Sequence, residues 1–264
     1  MYDPPGYLWA ITIAGVIAIP ALTCVVLYGG AQRAGLGRRR AALLAVGAAV
    51  VLGGWFTASS VIAGHGLYHT QLGHGVPWMP VAVVGFLGTL LALSRIPVVA
   101  RALAAPGMVS RLMLPHSFRM AGVDFLIIMA LGHLPALFAL PAGLGDIAAG
   151  ITALLVARRL TQGTGRRHAL WFNAYGITDL VVALTLGALT GYQLLNVTPS
   201  AAPIGELPLA LIPTAAVPLL LALHITSLLA LRRAPRTPLP ATGPLSADAT
   251  PRTAVAESPA SRAR

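Results

Sequence analysis

Long apolar runs separated by short polar or Pro/Gly-bearing connections dominate the 264-residue chain. Each run is long enough for a helix across a ~30 Å hydrocarbon layer, which takes about 20 residues at 1.5 Å per residue. The runs predict seven spans, at about 7–28, 41–64, 78–94, 120–140, 144–160, 169–190 and 209–231. The fold class expected is therefore all-α, an integral-membrane seven-helix bundle forming one domain over 1–233. The fifth span is short. Pro141-Ala142-Gly143 predicts its start, and Arg158, Arg159 and Leu160 lengthen it. In the third connection, Ile96 to Leu103 predicts a short amphipathic helix along the membrane surface, broken by Pro106-Gly107. Residues 234–264 are rich in Pro, Ala, Ser, Thr and Arg without apolar periodicity, and predict a disordered tail.

Charge orients the bundle. Every basic residue is Arg, and Lys is absent. Arg residues fall in the first, third and fifth connections and after the last span. The N-terminus and the second, fourth and sixth connections have none. This alternation is the positive-inside pattern and places the N-terminus outside and the C-terminus in the cytoplasm. It also accounts for the net charge of +11 without a nucleic-acid partner. A blanket absence of Lys, with abundant Ala, Gly and Pro, points to a high-GC genome. It also removes the amine needed for a Schiff base, so a seven-helix retinal protein of the usual kind is excluded. Cys24, the sole cysteine, reads as a small apolar side chain, not as part of a disulfide or metal cage. The first run lacks a basic flank and reads as a retained helix.

Charged groups in a bilayer are costly, about 2.5–3.5 kcal/mol each at the centre on insertion scales, so those that occur face a cavity or a partner. The candidates are Asp124, His133, Asp146, Asn173, Tyr175, Asp179 and His224. Asp179 lies near the midplane, with Tyr175 four residues before it on the same helix face and able to hydrogen-bond its carboxyl. Asp146, in the first turn after Pro141-Ala142-Gly143, is expected to satisfy free N–H groups and the helix dipole. Asp124 falls near the cytoplasmic end, within reach of an interfacial Arg119. His133 precedes the kinking Pro135, and His224 lies in the inner third of the last span. Together Asp124, His133, Asp146, Asp179 and His224 predict a polar path for protons or a coupled ion. Outside the spans, His65 and His69 stand four apart, with His74 as a third imidazole, a weak metal pattern weakened further by four neighbouring glycines. No cofactor is expected. A protein partner or a homo-oligomer is compatible with the sequence, and neither is specified by it.

Two motifs carry a resemblance. Phe138-Ala139-Leu140-Pro141-Ala142-Gly143-Leu144-Gly145-Asp146 and Asn173-Ala174-Tyr175-Gly176-Ile177-Thr178-Asp179-Leu180, with Phe118 to Leu126, resemble an uncharacterised family of bacterial polytopic membrane proteins. The resemblance covers about a quarter of the chain. It supports the choice of Asp146, Asn173 and Asp179 and adds no mechanism. Three classes of function fit the sequence: a small-solute or proton-coupled carrier, an accessory or assembly protein without transport or catalysis, and a membrane enzyme with a His-ligated cofactor. A non-enzymatic role is the expectation.

Overall fold

The computed structural model describes residues 4–69 and 76–233, and these are helical with no strand among them. His74 and the tail 234–264 lie outside the described residues. The α-helices are α1 Gly6–Arg33, α2 Gly37–Gly64, α3 Trp78–Leu93, α4 Pro97–Leu103, α5 Met108–Leu112, α6 Val123–Ala130, α7 Ala136–Thr161, α8 Arg166–Gly191 and α9 Val217–Arg233. A 3-10 helix, Leu114–Gly122, links α5 to α6, and a π-helical turn, Ile212–Ala216, leads into α9. Six stretches are long and apolar enough to cross a membrane: 6–33, 37–64, 108–130, 136–161, 166–191 and 212–233. The pair α3 and α4, bent by 86°, makes a seventh if counted as one span. The outer faces suit lipid: Val25, Leu43, Val50, Val84 and Trp171 are all more than 60% exposed. Asp124, Asn173 and His224 are fully buried.

The short helix expected from Ile96 is present as α4, with Pro97 in its first turn, where a missing N–H leaves no gap. Two other boundaries differ from the expectation. The chain does not turn at Pro141. It turns at Leu131–Pro135, where Gly132 takes a left-handed φ of 81° and Leu134 is held out of helical conformation by Pro135. Pro141 sits inside α7, near its start and on an exposed face, where the carbonyl it leaves without a donor belongs to exposed Leu137. The expected short fifth span is therefore a 26-residue helix about 39 Å long. The expected fourth span, 120–140, instead begins at Met108. Nine of its residues form the 3-10 helix, which rises about 2.0 Å per residue and stretches the segment.

The helix ends sort into two groups. Ala31, Leu36, Ala41 and Ala102 pack together, as do Met113, Ala157, Ala169 and Leu231. Arg166 donates to the Leu231 carbonyl at 2.8 Å, and Arg33 and Arg111 both approach Gly29. The Arg-bearing connections are thus gathered at one end. At the other, Leu8, Leu134, Phe138, Ala201 and Ile204 share a cluster, and Ala63, Tyr68, Ala82 and Ala210 share another.

Proline also explains a polar contact in the core. Pro218 has no N–H to give to the Thr214 carbonyl four residues back. Trp55 Nε1 donates to that carbonyl instead, at 2.7 Å, while its ring stacks on Phe86 with centroids 4.7 Å apart. Ser59 joins the Thr214 and Tyr68 hydroxyls at 2.6 and 3.0 Å. Trp55→Phe keeps a ring on Phe86 and orphans the carbonyl. It is expected to destabilise the protein by about 1–3 kcal/mol, measured as unfolding in mixed detergent micelles. An unchanged midpoint would show that the indole N–H is dispensable.

Candidate functional site

The 3-10 helix sets the site. With three residues per turn, positions three apart eclipse one another. His116, Arg119 and Gly122 accordingly share one inward face, and all three are buried. Arg119 is therefore an internal residue of the bundle, not the interfacial arginine expected from the loop pattern.

Arg119 lies between two carboxylates on consecutive antiparallel helices. Its Nε donates to Asp146 Oδ1 at 2.7 Å, and its Nη2 donates to Asp179 Oδ2. The Arg119 side chain is 1% exposed, against 14% for Asp146 and 11% for Asp179. Asp146 lies about 15 Å along α7 and Asp179 about 20 Å along α8, so both fall in the middle third of their helices. Asp146 thus serves as an ion-pair partner within α7, and its expected role at a helix N-terminus does not hold, because the helix starts ten residues earlier. The expected Tyr175–Asp179 bond is not formed either. Arg119 takes the carboxylate, and the Tyr175 hydroxyl donates to the Gly145 carbonyl at 3.3 Å.

Close helix approach makes this geometry attainable. A Cβ at Gly145 would overlap Asp179 Oδ1, so only glycine lets the α8 carboxylate reach past α7 to the guanidinium. Gly176 gives the same clearance to the His224 ring.

Two polar groups flank the triad. Toward the Arg-free end, the Thr12 hydroxyl of α1 donates to Asp124 Oδ2 at 2.6 Å. Asp124 therefore pairs with Thr12 and not with Arg119, whose Nε and Nη2 go to Asp146 and Asp179. A small cavity of about 30 Å³, room enough for water, lies beside the triad, with Thr12, Gly15, Phe118, Arg119, Asp146 and Leu180 in its wall. Toward the Arg-bearing end, the His116 and His224 rings lie 3.9 Å apart between centroids, with Phe172 against both. His224 Nδ1 is 3.0 Å from Asn173 Oδ1, and Asn173 Nδ2 donates to the Ala169 carbonyl and to Ser227. Arg119 Nη1, Asp124 Oδ1, His116 Nδ1 and His224 Nε2 are buried without a hydrogen-bond partner.

Four of the five residues expected to line a polar path fall in or beside this core: Asp124, Asp146, Asp179 and His224. His133 does not. It is exposed, in the turn 131–135 at the bundle end. Sequence reasoning missed Arg119, His116, Thr12 and Ser227. The available signal was the period of three in Leu114–Gly122. Outside the bundle core, His65 caps α2 on the surface, and His69 Nε2 lies 3.7 Å from a Glu206 carboxylate oxygen. Among the described residues, no three His, Cys, Asp or Glu side chains come together as a metal site would require.

The fold and this core define a multi-helix protein of membrane-spanning character organised around a buried Arg–Asp–Asp triad. Residues 76–232, more than half of the chain, match a family described as a domain of unknown function (DUF8737), and the chain belongs to that family. The match contains the triad, both histidines and Asn173, whereas Thr12 comes from α1, outside it. No curated protein and no solved structure matches the chain.

Proposed function

We propose that the protein is a proton-coupled carrier of a small solute in the plasma membrane of a bacterium, with Arg119, Asp146 and Asp179 as its proton-handling element. The observation that carries this reading is the ratio of two carboxylates to one guanidinium in the middle of the bundle. With both carboxylates ionised the triad holds one uncompensated negative charge. Binding one proton or one monovalent cation neutralises it, and a group that must be neutralised in a low-dielectric core is suited to carry that ion. The water-sized cavity and the Asp124–Thr12 pair extend polar groups toward one end, and His116, His224 and Asn173 extend them toward the other.

In this reading the chain crosses the bilayer seven times, with α3 as a crossing and α4 lying along the surface. The Arg-bearing end faces the cytoplasm, so the N-terminus is outside. Bundle and tail divide at about 233. The site residues are the triad, Asp124, Asn173, Tyr175 and His224.

Proteoliposomes loaded with a pH-sensitive dye test the proposal when given mixtures of amino acids, sugars, organic acids or amines. At least one mixture is expected to drive acidification of the lumen, and Asp179→Asn to abolish it in a protein that still folds and unfolds cooperatively. If no mixture moves protons beyond empty liposomes, the carrier reading fails. The second reading, an accessory or assembly protein, then stands. It is favoured by the same tightness: a cavity of about 30 Å³ admits no solute in this conformation, and a locked triad would serve to clamp α7, α8 and the 3-10 helix.

A further inference from the structure

A second cavity, larger than the one beside the triad, lies away from it. It is a cleft of about 520 Å³ between α2 and α3, floored by α9 and bounded by α1 and α4. Its walls are apolar, with Leu44 and Val51 from α2, Leu90 from α3 and Leu223 from α9. The helices α2 and α3 meet at the Trp55–Phe86 stack, on the Arg-free side of the residues that line the cleft. The other end opens at Arg40 and Ser94, where α2 begins and α3 stops. Arg38 and Arg39 precede Arg40, and Arg95 follows Ser94. No ion pair among the described residues engages any of these four arginines. The acidic residues of the described chain lie in the core or, for Glu206, at the opposite end.

We propose that this cleft is a binding site for an anionic phospholipid, with one acyl chain between α2 and α3 and the phosphate at Arg40. Volume, shape and charge each contribute. A cavity of this size is within the range of ligand sites, roughly 300–1,000 Å³. A long apolar slot open at one end fits a chain and not a compact polar solute. A cluster of arginines with no acidic partner among the described residues attracts anionic headgroups at a membrane surface, and basic pockets between spanning helices hold such lipids. Ser94 adds a hydroxyl beside the phosphate position, and its own Oγ now donates to the Leu91 carbonyl at 2.6 Å.

The test is native mass spectrometry of the full chain released from nanodiscs of phosphatidylcholine or of phosphatidylglycerol. The expected result is one phosphatidylglycerol retained per chain under activation that strips phosphatidylcholine. Arg40→Gln is expected to reduce the preference about fivefold, the effect of one arginine at the surface. Gly47→Phe fills the slot. No atom lies within 4 Å of a Cβ at Gly47, so the variant is expected to fold and to lose retention. Equal retention of the two lipids by the wild type overturns the proposal, as does retention unchanged in Gly47→Phe. A wild-type preference for phosphatidylglycerol that Arg40→Gln leaves intact overturns the placement of the headgroup.

Discussion

Arg119→Gln is expected to destabilise the protein by about 3–5 kcal/mol, the effect of removing one partner from a buried ion pair. Two carboxylates, 14% and 11% exposed, would face each other across the gap with no cation between them. Asp146→Asn and Asp179→Asn should behave differently. Each leaves Arg119 one carboxylate and makes the cluster neutral, so each is expected to lose no more than about 1.5–3 kcal/mol, the scale of one charge-assisted hydrogen bond. The triple variant Arg119→Gln, Asp146→Asn, Asp179→Asn removes all three charges and should recover most of the stability lost in the single Arg119 variant, since uncharged replacements of buried ion networks are often tolerated. Unfolding in mixed detergent micelles ranks the four proteins. If Arg119→Gln unfolds with the wild type, the guanidinium is not the electrostatic centre of the bundle. The triple variant also separates the two functional readings. A carrier loses proton movement with the charges, whereas a clamp keeps its role once the fold is restored.

Gly145→Ala should have the second largest effect. Its methyl group would occupy the space of Asp179 Oδ1, and the carboxylate cannot swing aside without pulling Oδ2 away from Arg119. Overpacking costs about 1–3 kcal/mol in ordinary cores and occasionally more. Here the upper part of that range is expected, with parting of α7 from α8 as the structural outcome. Gly85→Ala in α3 provides the contrast, because nothing lies within 4 Å of a Cβ there. Alanine is the better helix former by about 1 kcal/mol, so this variant is expected to match or exceed the wild type. The midpoints of the two variants, measured side by side, check both. A Gly145→Ala protein as stable as Gly85→Ala would mean that α7 and α8 do not approach as closely as described.

Much of the bundle was legible in the pattern of apolar runs and arginines. Periodicity and length located the spans, and the alternation of Arg-bearing connections matched the gathering of those ends in space. The depth of Asp179 was readable from its distance to the ends of its run. The main error came from treating arginine as a marker of loops. Arg38–Arg40 and Arg158 and Arg159 do mark helix ends, in the first turn of α2 and the last turn of α7, but the rule hid Arg119, because the preceding Leu114-Pro115-His116-Ser117 has no helical apolar period. A period of three inside a membrane stretch is a 3-10 signature, and reading it would have placed His116 and Arg119 on one face. The second error was to let Pro141 end a helix. Proline near a helix start and on an exposed side is tolerated, and the glycine–proline pair at 132 and 135 made the stronger break. Asp146 moved from a cap to the core on that account. Long-range pairings such as Thr12 with Asp124 leave no local trace, since the partners are 112 residues apart.

The placement of Arg119 bears on how the chain is made. Residues 108–130 leave the ribosome with an arginine at their middle, and the two carboxylates that neutralise it are still unsynthesised, 27 and 60 residues downstream. An unpaired arginine at mid-bilayer depth costs about 2.5–3.5 kcal/mol on insertion scales. This stretch therefore gains little from entering lipid alone. Its ion-pair partners arrive only with α7 and α8, so a chain halted after residue 135 carries Arg119 without either carboxylate.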